Sequence, residues 1–319
     1  MPQPGLYTGF RVTSGRRLPA VKRFLSCMIL LWSQVYAQDI SVVIPYSAGG
    51  PTDQVTRTLL KHLTHDVWRF VPEYRLGAGG VTAANWVAAS SSPALMITSN
   101  ALTISPVLTA DIVKYDLSRD LVMVEYLGTE PLILTVAANS GIQHLRDWRM
   151  IARQKPMAYG SAGVGTSGHI ASAILANGNG SHIHVPYKGS AGLVVDLLNG
   201  SLQWVLDSRM NVGVFLDEGR LRALAIHGRQ RVVGMPQVAT VHEQGLDDRG
   251  FFRWHILVAN TRVDPALVSW LRQRLSDPAV RRDLQNLGLD SFAARKPQDF
   301  FATESALTQR ILKDFSIRP

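Results

Sequence analysis

Short apolar runs alternate along this chain with longer segments in which apolar residues recur every three or four positions. The short runs predict strands, and the longer segments predict helices. The predicted strands are Val42–Ile44, Phe70–Tyr74, Leu95–Thr98, Leu121–Leu127, Leu132–Ala137, His182–Val185, Trp204–Leu206, Ala223–Ile226 and His255–Val258. Strands that alternate with helices are typical of α/β proteins with parallel sheets.

The helical segments fall between these strands and after the last one. They are Gln54–Leu63, Gly77–Ala89 with its glycine turn, Leu145–Ala152, Ile170–Ala176, Ala191–Leu198, Pro265–Leu275, Pro278–Asn286 and Pro297–Leu312. The last three each open with proline, which suits the first position of a helix. We expect these three helices to pack back on the first part of the chain.

A glycine turn follows the first predicted strand. Pro45 ends the strand, Gly49 and Gly50 free the backbone, and Pro51 suits a first helical position. Such a turn presents backbone amides, and the positive end of the helix dipole lies beside them. The turn is therefore a candidate seat for an anion such as a carboxylate.

A second turn of this kind lies in Pro156–His169. It contains Gly160, Gly163, Gly165 and Gly168, and hydroxyl groups lie between these glycines. Two anion seats in one chain predict two lobes that grip one small acid between them. We expect the amides at Gly49 and Gly163 to approach the carboxylate directly or through one water.

The strand order predicts two α/β lobes, each a mainly parallel sheet flanked by helices. Residues 38–138 and 256–319 are expected to form lobe 1, and residues 139–255 are expected to form lobe 2. The chain would then cross between the lobes twice, and two crossings make a hinge.

The first 37 residues have the composition of an export signal. Basic residues precede the nine-residue apolar run Phe24–Trp32, and the small residue Ala37 precedes polar Gln38. The run is too short for a membrane anchor, which needs about 20 residues. Lipidation at Cys27 is disfavoured because this cysteine stands at the front of the apolar run. We therefore expect cleavage after Ala37 and a periplasmic protein.

Removal of this signal changes the charge balance. The chain has 33 basic and 24 acidic residues, and five of the basic residues lie before residue 38, so the mature chain carries a net charge of about +4. The remaining arginines are dispersed, which argues against nucleic-acid binding. The single cysteine leaves with the signal, so thiol catalysis and cysteine-ligated metal sites are excluded from the mature protein.

Five glycine-rich or basic motifs follow one another along the chain. They are Ile44–Asp53, Arg75–Gly80, Tyr159–His169, His184–Ser190 and Gly219–Arg231. With them the chain resembles the Bug-type, or TctC-like, extracytoplasmic receptors of tripartite tricarboxylate transporters. The resemblance implies a Venus-flytrap fold, a small carboxylate ligand, no cofactor, and a monomer whose partner is a transporter permease or a sensor ectodomain.

The resemblance also assigns ligand-binding positions, mainly in the two glycine turns. They are Ala48, Gly49, Thr52, Asp53, Ser99, Asn100, Ser161, Ala162, Gly163, Thr166, Ser167, His169, Tyr187 and Asp207. It implies that backbone amides and ordered water, rather than an arginine clamp, hold the carboxylate.

Three assignments leave alternatives open. An acidic side chain repels a carboxylate, so Asp53 is expected to cap its own helix unless the ligand carries an ammonium group. His169 is as well explained by a structural role as by a ligand contact. Lys188 is more often the kind of lysine found in a solvated loop, although its neighbours Tyr187 and Gly189 would allow it to reach the cleft.

The alternative function is an enzyme of unknown type that acts on a small carboxylate. Gly160–Gly163 and Gly189–Gly192 do not match the nucleophile elbow of serine hydrolases, and the second turn lacks the lysine of a phosphate-binding loop. His182 and His184 have no nearby carboxylate to complete a metal site. These departures favour a receptor without a catalytic or metal centre.

Overall fold

The computed structural model describes residues 37–228, 230–232, 234–249, 251–290 and 297–317. The predicted export signal lies outside the described residues, apart from Ala37. Residues Gln38–Pro319 form one compact unit. Within the part of the chain that is described, no helix has the length and apolar character needed to cross a membrane.

The strands and helices of this unit agree closely with the sequence pattern. The strands are β1 (Gln38–Ile44), β2 (Trp68–Tyr74), β3 (Ala94–Ser99), β4 (Leu121–Glu130), β5 (Leu132–Ala137), β6 (Met157–Ser161), β7 (His182–Pro186), β8 (Trp204–Ser208), β9 (Leu221–His227) and β10 (Arg253–Asn260). The helices are α1 (Pro51–Leu60), α2 (Val81–Ala89), α3 (Ala101–Leu108), α4 (Leu145–Gln154), α5 (Ser167–Ala176), α6 (Leu193–Asn199), α7 (Arg209–Asp217), α8 (Pro265–Leu275), α9 (Pro278–Asn286) and α10 (Pro297–Asp314).

The strands form two five-stranded sheets, and each sheet has one reversed strand. The order is β2-β1-β3-β10-β4 in the first sheet and β7-β6-β8-β5-β9 in the second. β10 runs antiparallel to β3 and β4, and β5 runs antiparallel to β8 and β9. The remaining strands of each sheet run in one direction, which confirms two mainly parallel lobes.

The reversed strands are the two that adjoin the lobe crossings. β5 follows β4 after one residue, Pro131, and pairs in the second sheet, although the predicted boundary at residue 139 assigned it to lobe 1. Its six residues are all buried and all but Thr135 are apolar, which suits burial on both faces in either lobe, so composition alone does not decide between the lobes. In the same way, β10 joins the first sheet from Arg253, three residues before the predicted boundary.

The core of lobe 1 lies on both faces of its sheet. Along β1, Ile40 and Val42 join a cluster with α8 and α9, whereas Val43 joins a cluster on the opposite face. This alternation follows from the two-residue period of a strand. Because β1 is buried on both faces, its position in the lobe is fixed. The glycine turn that follows its carboxyl end at the cleft is positioned with it.

Two helices at the cleft were not predicted from the sequence. α3 contains Pro106 and α7 contains Gly213, and both residues disfavour a helix interior. Packing overrides these preferences, because Leu102, Ile104 and Leu108 of α3 are buried. The two helices begin beside the cleft, since α3 follows the end of β3 and α7 follows the end of β8.

Candidate functional site

A small cavity lies between the two lobes, where several helices begin. Its lining residues are Tyr46, Gly50, Pro51, Thr52, Ser99, Ala162, Thr166, Ser167, Ser190 and Arg253. Gly50, Pro51 and Thr52 lie at the start of α1, Thr166 and Ser167 lie at the start of α5, and Ser99 ends β3 two residues before α3 begins. The lining therefore brings three helix N-termini to one small space.

These three helices lack the side-chain caps found elsewhere in the molecule. Ser208, Asp264 and Asp277 accept hydrogen bonds from the first turns of α7, α8 and α9. No side chain among the described residues caps α1, α3 or α5 in this way. Amides in the first turn of a helix have no partner within that helix. The uncapped starts thus leave N–H donors and positive dipole ends on the cleft.

The first loop, residues 45–53, turns its tip away from the cavity. Ala48 and Gly49 are exposed, and the Gly49 N–H donates to Oδ2 of Asp53 at 2.8 Å. Asp53 also accepts from Tyr74 at 2.6 Å and from Arg57 at 3.0 Å. Burial alone would raise the pKa of Asp53, but these three donors outweigh it and hold the pKa below its usual value. The Gly49 amide is therefore engaged within the chain.

Two histidines hold the second loop, residues 160–169, in place: His169 at its own end and His184 in β7. His184 Nε2 lies 2.6 Å from Ser161 Oγ, and His169 Nδ1 accepts from the Gly165 N–H at 3.2 Å. The two imidazole rings stack with centroids 4.0 Å apart. Burial lowers the pKa of His169 to about 4, and burial together with the neighbouring His169 lowers that of His184 to about 3. Both rings are neutral at pH 7.

Ser161 and His184 do not form an activated nucleophile. Ser161 is 1% exposed, and its hydroxyl already accepts from the Gly163 N–H at 3.2 Å and donates to the Gly163 carbonyl at 3.0 Å. A histidine with a pKa of about 3 is a weak general base at neutral pH. Among the described residues, no group of three or more His, Cys, Asp or Glu could hold a metal ion.

Hydrogen bonds connect the two lobes across the cleft. The Ser47 N–H donates to the Lys188 carbonyl at 3.3 Å, and Gln54 Nε2 donates to the Met210 carbonyl at 2.9 Å. The loops also approach closely, because a Cβ on Gly79 would lie 2.1 Å from the Val164 carbonyl oxygen. The two lobes therefore touch each other across the cleft.

Asn100 connects the hinge to the second loop. Its Oδ1 accepts from Ser167 Oγ at 2.9 Å and from the Trp254 N–H at 3.1 Å, and its Nδ2 donates to the Phe252 carbonyl at 3.1 Å. One amide side chain thus joins the start of α3, the start of α5 and the returning chain at β10.

A buried ionic cluster lies at the floor of the cleft. Arg253 donates to Glu130 Oε1 at 3.2 Å and to Asp207 Oδ1 at 3.0 Å, and its side chain is only 7% exposed. Glu130 also bonds to His255 Nε2 at 2.8 Å and to the Ser208 hydroxyl. Burial raises the pKa of Glu130, but Arg253 and His255 outweigh it and bring the pKa to about 2. The cluster joins Glu130 of lobe 1 to Asp207 of lobe 2.

The cavity contains some of the residues proposed from the sequence and excludes others. Those that line it are Thr52, Ser99, Ala162, Thr166 and Ser167. Gly50 and Pro51 also line it and belong to the predicted glycine turn, whereas Tyr46, Ser190 and Arg253 were missed. Tyr187 donates its hydroxyl to Asp196, and Lys188 offers its carbonyl to Ser47. The sequence signal for Arg253 was available: it is a charge at the edge of an apolar segment near a predicted lobe crossing.

The remaining proposed residues are not among those that line the cavity. Ala48, Gly49 and Asp53 lie in the first loop beside it, and Ser161, Gly163 and His169 form the second loop behind Ala162. Asn100 and Asp207 each form a hydrogen bond with a residue that lines the cavity, Ser167 and Arg253 respectively. A direct contact between these residues and a ligand stays a prediction.

Comparisons with known proteins agree with this geometry. A family model described as the tripartite tricarboxylate transporter family receptor matches residues 53–317. Protein BugT of Bordetella pertussis is 27% identical over 274 residues, which cover 84% of this chain and 83% of that protein. The R. palustris protein Rpa4515 with adipate has a TM-score of 0.81 at 24% identity, with 90% of this chain and 99% of that chain covered. MatC from Rhodopseudomonas palustris with bound malate has a TM-score of 0.72 at 23% identity, with 88% and 98% covered. The resemblance and the fold class predicted from the sequence are confirmed.

Proposed function

The chain belongs to the family of tripartite tricarboxylate transporter receptors, and from that premise we propose that it captures one small carboxylate, an organic acid or an acidic amino acid, between its two lobes. Members of this family are binding proteins rather than enzymes. We propose that this receptor acts in the periplasm after removal of the signal at Ala37, as a monomer that delivers its ligand to a transporter permease or a sensor ectodomain.

One observation carries this proposal. Among the described residues, the three helices that begin at the cavity have no side-chain cap, and although α2 and α6 share this lack, only α1, α3 and α5 of these five begin together at the cavity, whereas α7, α8 and α9 are capped by a serine or aspartate. Orphan amide donors and positive dipole ends therefore meet in one place, and a carboxylate supplies the acceptors that they lack. Adipate in Rpa4515 and malate in MatC belong to the same chemical class.

A binding screen tests the proposal. The mature protein is expected to bind at least one acid with micromolar affinity or better, which corresponds to about −8 kcal/mol. Thermal-shift measurements with mono- and dicarboxylates, malate and aspartate, together with mass spectrometry of small molecules released from the denatured protein, give the readout. The absence of any stabilising acid and of any co-purified acid would contradict the proposal.

The enzyme alternative has a specific observation against it. Ser161 and His184 are hydrogen-bonded, but the hydroxyl is buried and the low pKa of His184 removes its value as a base. Incubation of the purified protein with each acid that binds should return the acid unchanged. A product that accumulates in proportion to protein concentration would favour the enzyme.

A further inference from the structure

Arg253 stands out in the cavity because it is the one cationic residue among those that line it. Its terminal nitrogen Nη2 lies 3.8 Å from the position that a Cβ of Gly168 would occupy, so it reaches the first turn of α5. Its charge also contributes to the pKa of Tyr46, another lining residue, which burial raises and Arg253 and Ser99 lower. These two neighbours place the guanidinium at the wall of the cavity.

The carboxylates beside Arg253 are saturated with donors. Asp207 Oδ1 accepts from Arg253 and from the Ser208 N–H, and Asp207 Oδ2 accepts from Asn211 at 2.8 Å. Glu130 Oε1 accepts from Arg253 and bonds to His255, and Glu130 Oε2 accepts from the Ser208 hydroxyl. Neither carboxylate therefore needs a further donor from a ligand.

The guanidinium, in contrast, has donors to spare. A guanidinium carries more N–H groups than the two bonds to Glu130 and Asp207 use, and it has no acceptor. The uncapped amides of α1, α3 and α5 add further donors to the same space. These donors suit a ligand carboxylate, which offers only acceptors.

The two ion pairs also fix the orientation of Arg253. Glu130 ends β4 in lobe 1 and Asp207 lies in β8 of lobe 2, so the planar guanidinium is held from both sides of the hinge. A charged group held in place by fixed partners binds a ligand without losing much side-chain freedom. Lysine cannot reproduce this arrangement, because an ammonium lacks the planar fork of donors.

We propose that Arg253 binds a carboxylate of the ligand directly, with its free N–H donors, while Glu130 and Asp207 hold the guanidinium in position. The proposal rests on the proposed function, because it assumes a carboxylate ligand. It adds a cationic contact at the hinge to the amide donors of the loops. The ligand class that follows is an acid whose ionised carboxylate reaches the floor of the cleft.

The test compares Arg253→Lys with the wild-type protein by calorimetric titration, using a series of acids from acetate to suberate with malate and aspartate. Arg281→Lys is the matched control, since Arg281 also pairs with a carboxylate, Glu125 at 3.0 Å, but is not among the lining residues of the cavity. We expect Arg253→Lys to weaken binding at least about tenfold and Arg281→Lys to change it less than about twofold. Circular dichroism melts establish that both variants are folded.

The outcomes separate this inference from the proposed function. A wild-type protein that binds none of the acids overturns the proposed function and this inference together. A wild-type protein that binds, with a folded Arg253→Lys variant that binds equally well, overturns this inference alone. If the variant does not fold, a crystal structure of the wild-type complex decides. A ligand oxygen about 3 Å from a guanidinium nitrogen supports the proposal, and a guanidinium without such a contact overturns it.

Discussion

The first loop turns its glycine tip toward solvent, whereas the second loop packs its glycine against the opposite lobe. A Cβ placed on Gly49 would meet no described atom within 4 Å. A Cβ placed on Gly163 would lie 3.0 Å from the Cα of Gly79 and 3.2 Å from the carbonyl oxygen of Tyr187. Both glycines have a positive φ, at +82° and +136°. The same residue type therefore serves backbone conformation in one loop and close approach between lobes in the other.

The supports of the two loops differ as well. An ionised carboxylate, Asp53, organises the first loop by accepting from the Gly49 amide. Neutral imidazoles organise the second loop, because His169 accepts from the Gly165 amide and His184 bonds to Ser161. Charge on the supporting side chain therefore modestly stabilises the first loop, whereas it would destabilise the second. This difference predicts opposite responses to substitution and to acid.

The largest effect is expected where the second loop meets lobe 1. In Gly79→Ala, the new Cβ would lie 2.1 Å from the Val164 carbonyl oxygen, so the lobes could not close as they do here. Because this contact exists only between the lobes, the loss should fall mainly on ligand affinity. We expect binding to weaken about tenfold to a hundredfold, the equivalent of roughly 1–3 kcal/mol of overpacking. Calorimetric titration with an acid from the binding screen gives the measurement.

Gly49→Ala is the matched control for this substitution. Gly79 has a φ of +61° and Gly49 one of +82°, so alanine pays a similar backbone cost of about 1–2 kcal/mol at either position. Only the Gly79 variant adds a contact across the cleft. Equal affinities for the two variants would show that closure does not require the approach of Gly79 to Val164.

The sequence predicted the lobes well because hydrophobic periodicity is a local signal. β1, β5 and the proline-led helices α8 and α9 begin or end within a few residues of their predicted bounds. The lobe that β5 joins was predicted less well, because its residues, apolar apart from Thr135, satisfy either sheet. Pairing partners depend on distant strands, and no local pattern specifies them.

Only part of the site was predicted, again because sequence patterns report local structure and not distant partners. The glycine turns located the cavity wall, since a turn between a strand and a helix can be recognised from adjacent residues. Arg253 was missed because its role depends on Glu130 and Asp207, which are distant from it in sequence. The amide of Gly49 was assigned to the ligand, although Asp53, four residues later, accepts from it. Competition between a ligand and a neighbouring side chain cannot be judged without coordinates.

A smaller effect is expected from acid, and it should originate in the second loop. The pKa of His169 in the folded protein is about 4 and that of His184 about 3, both below the value of about 6.5 for an unfolded chain. The unfolded state therefore binds more protons between these values, so folding stability is fully present above pH 6.5 and falls as the pH drops toward 4. The wild type should therefore lose unfolding free energy between pH 6.5 and pH 4, and His169→Gln should reduce this loss by on the order of 1–3 kcal/mol.

Urea unfolding of the wild type and of His169→Gln at a series of pH values measures this effect. Some slope should remain in the variant, because burial also lowers the pKa of His182, and that of His227 to about 4. An unchanged slope in His169→Gln would mean that the stacked histidines do not carry the acid sensitivity of the second loop.

The smallest effect is expected from Asp53→Asn in the first loop. Because its donors lower the pKa of Asp53, its contribution to stability is present above about pH 4 and is lost only below that value. The slope between pH 4 and 6.5 should therefore match that of the wild type. The amide still accepts from Gly49 but loses the charge that faces Arg57, whose side chain is 61% exposed, so we expect a loss of unfolding free energy of about 1 kcal/mol.

Ligand affinity should change less than about threefold, since the bonds of Asp53 described here lie within its own lobe. A tenfold loss of affinity for aspartate with no loss for malate would instead assign Asp53 to the ammonium group of an amino-acid ligand, and the contrast between a self-supported first loop and a cleft-facing second loop would no longer hold.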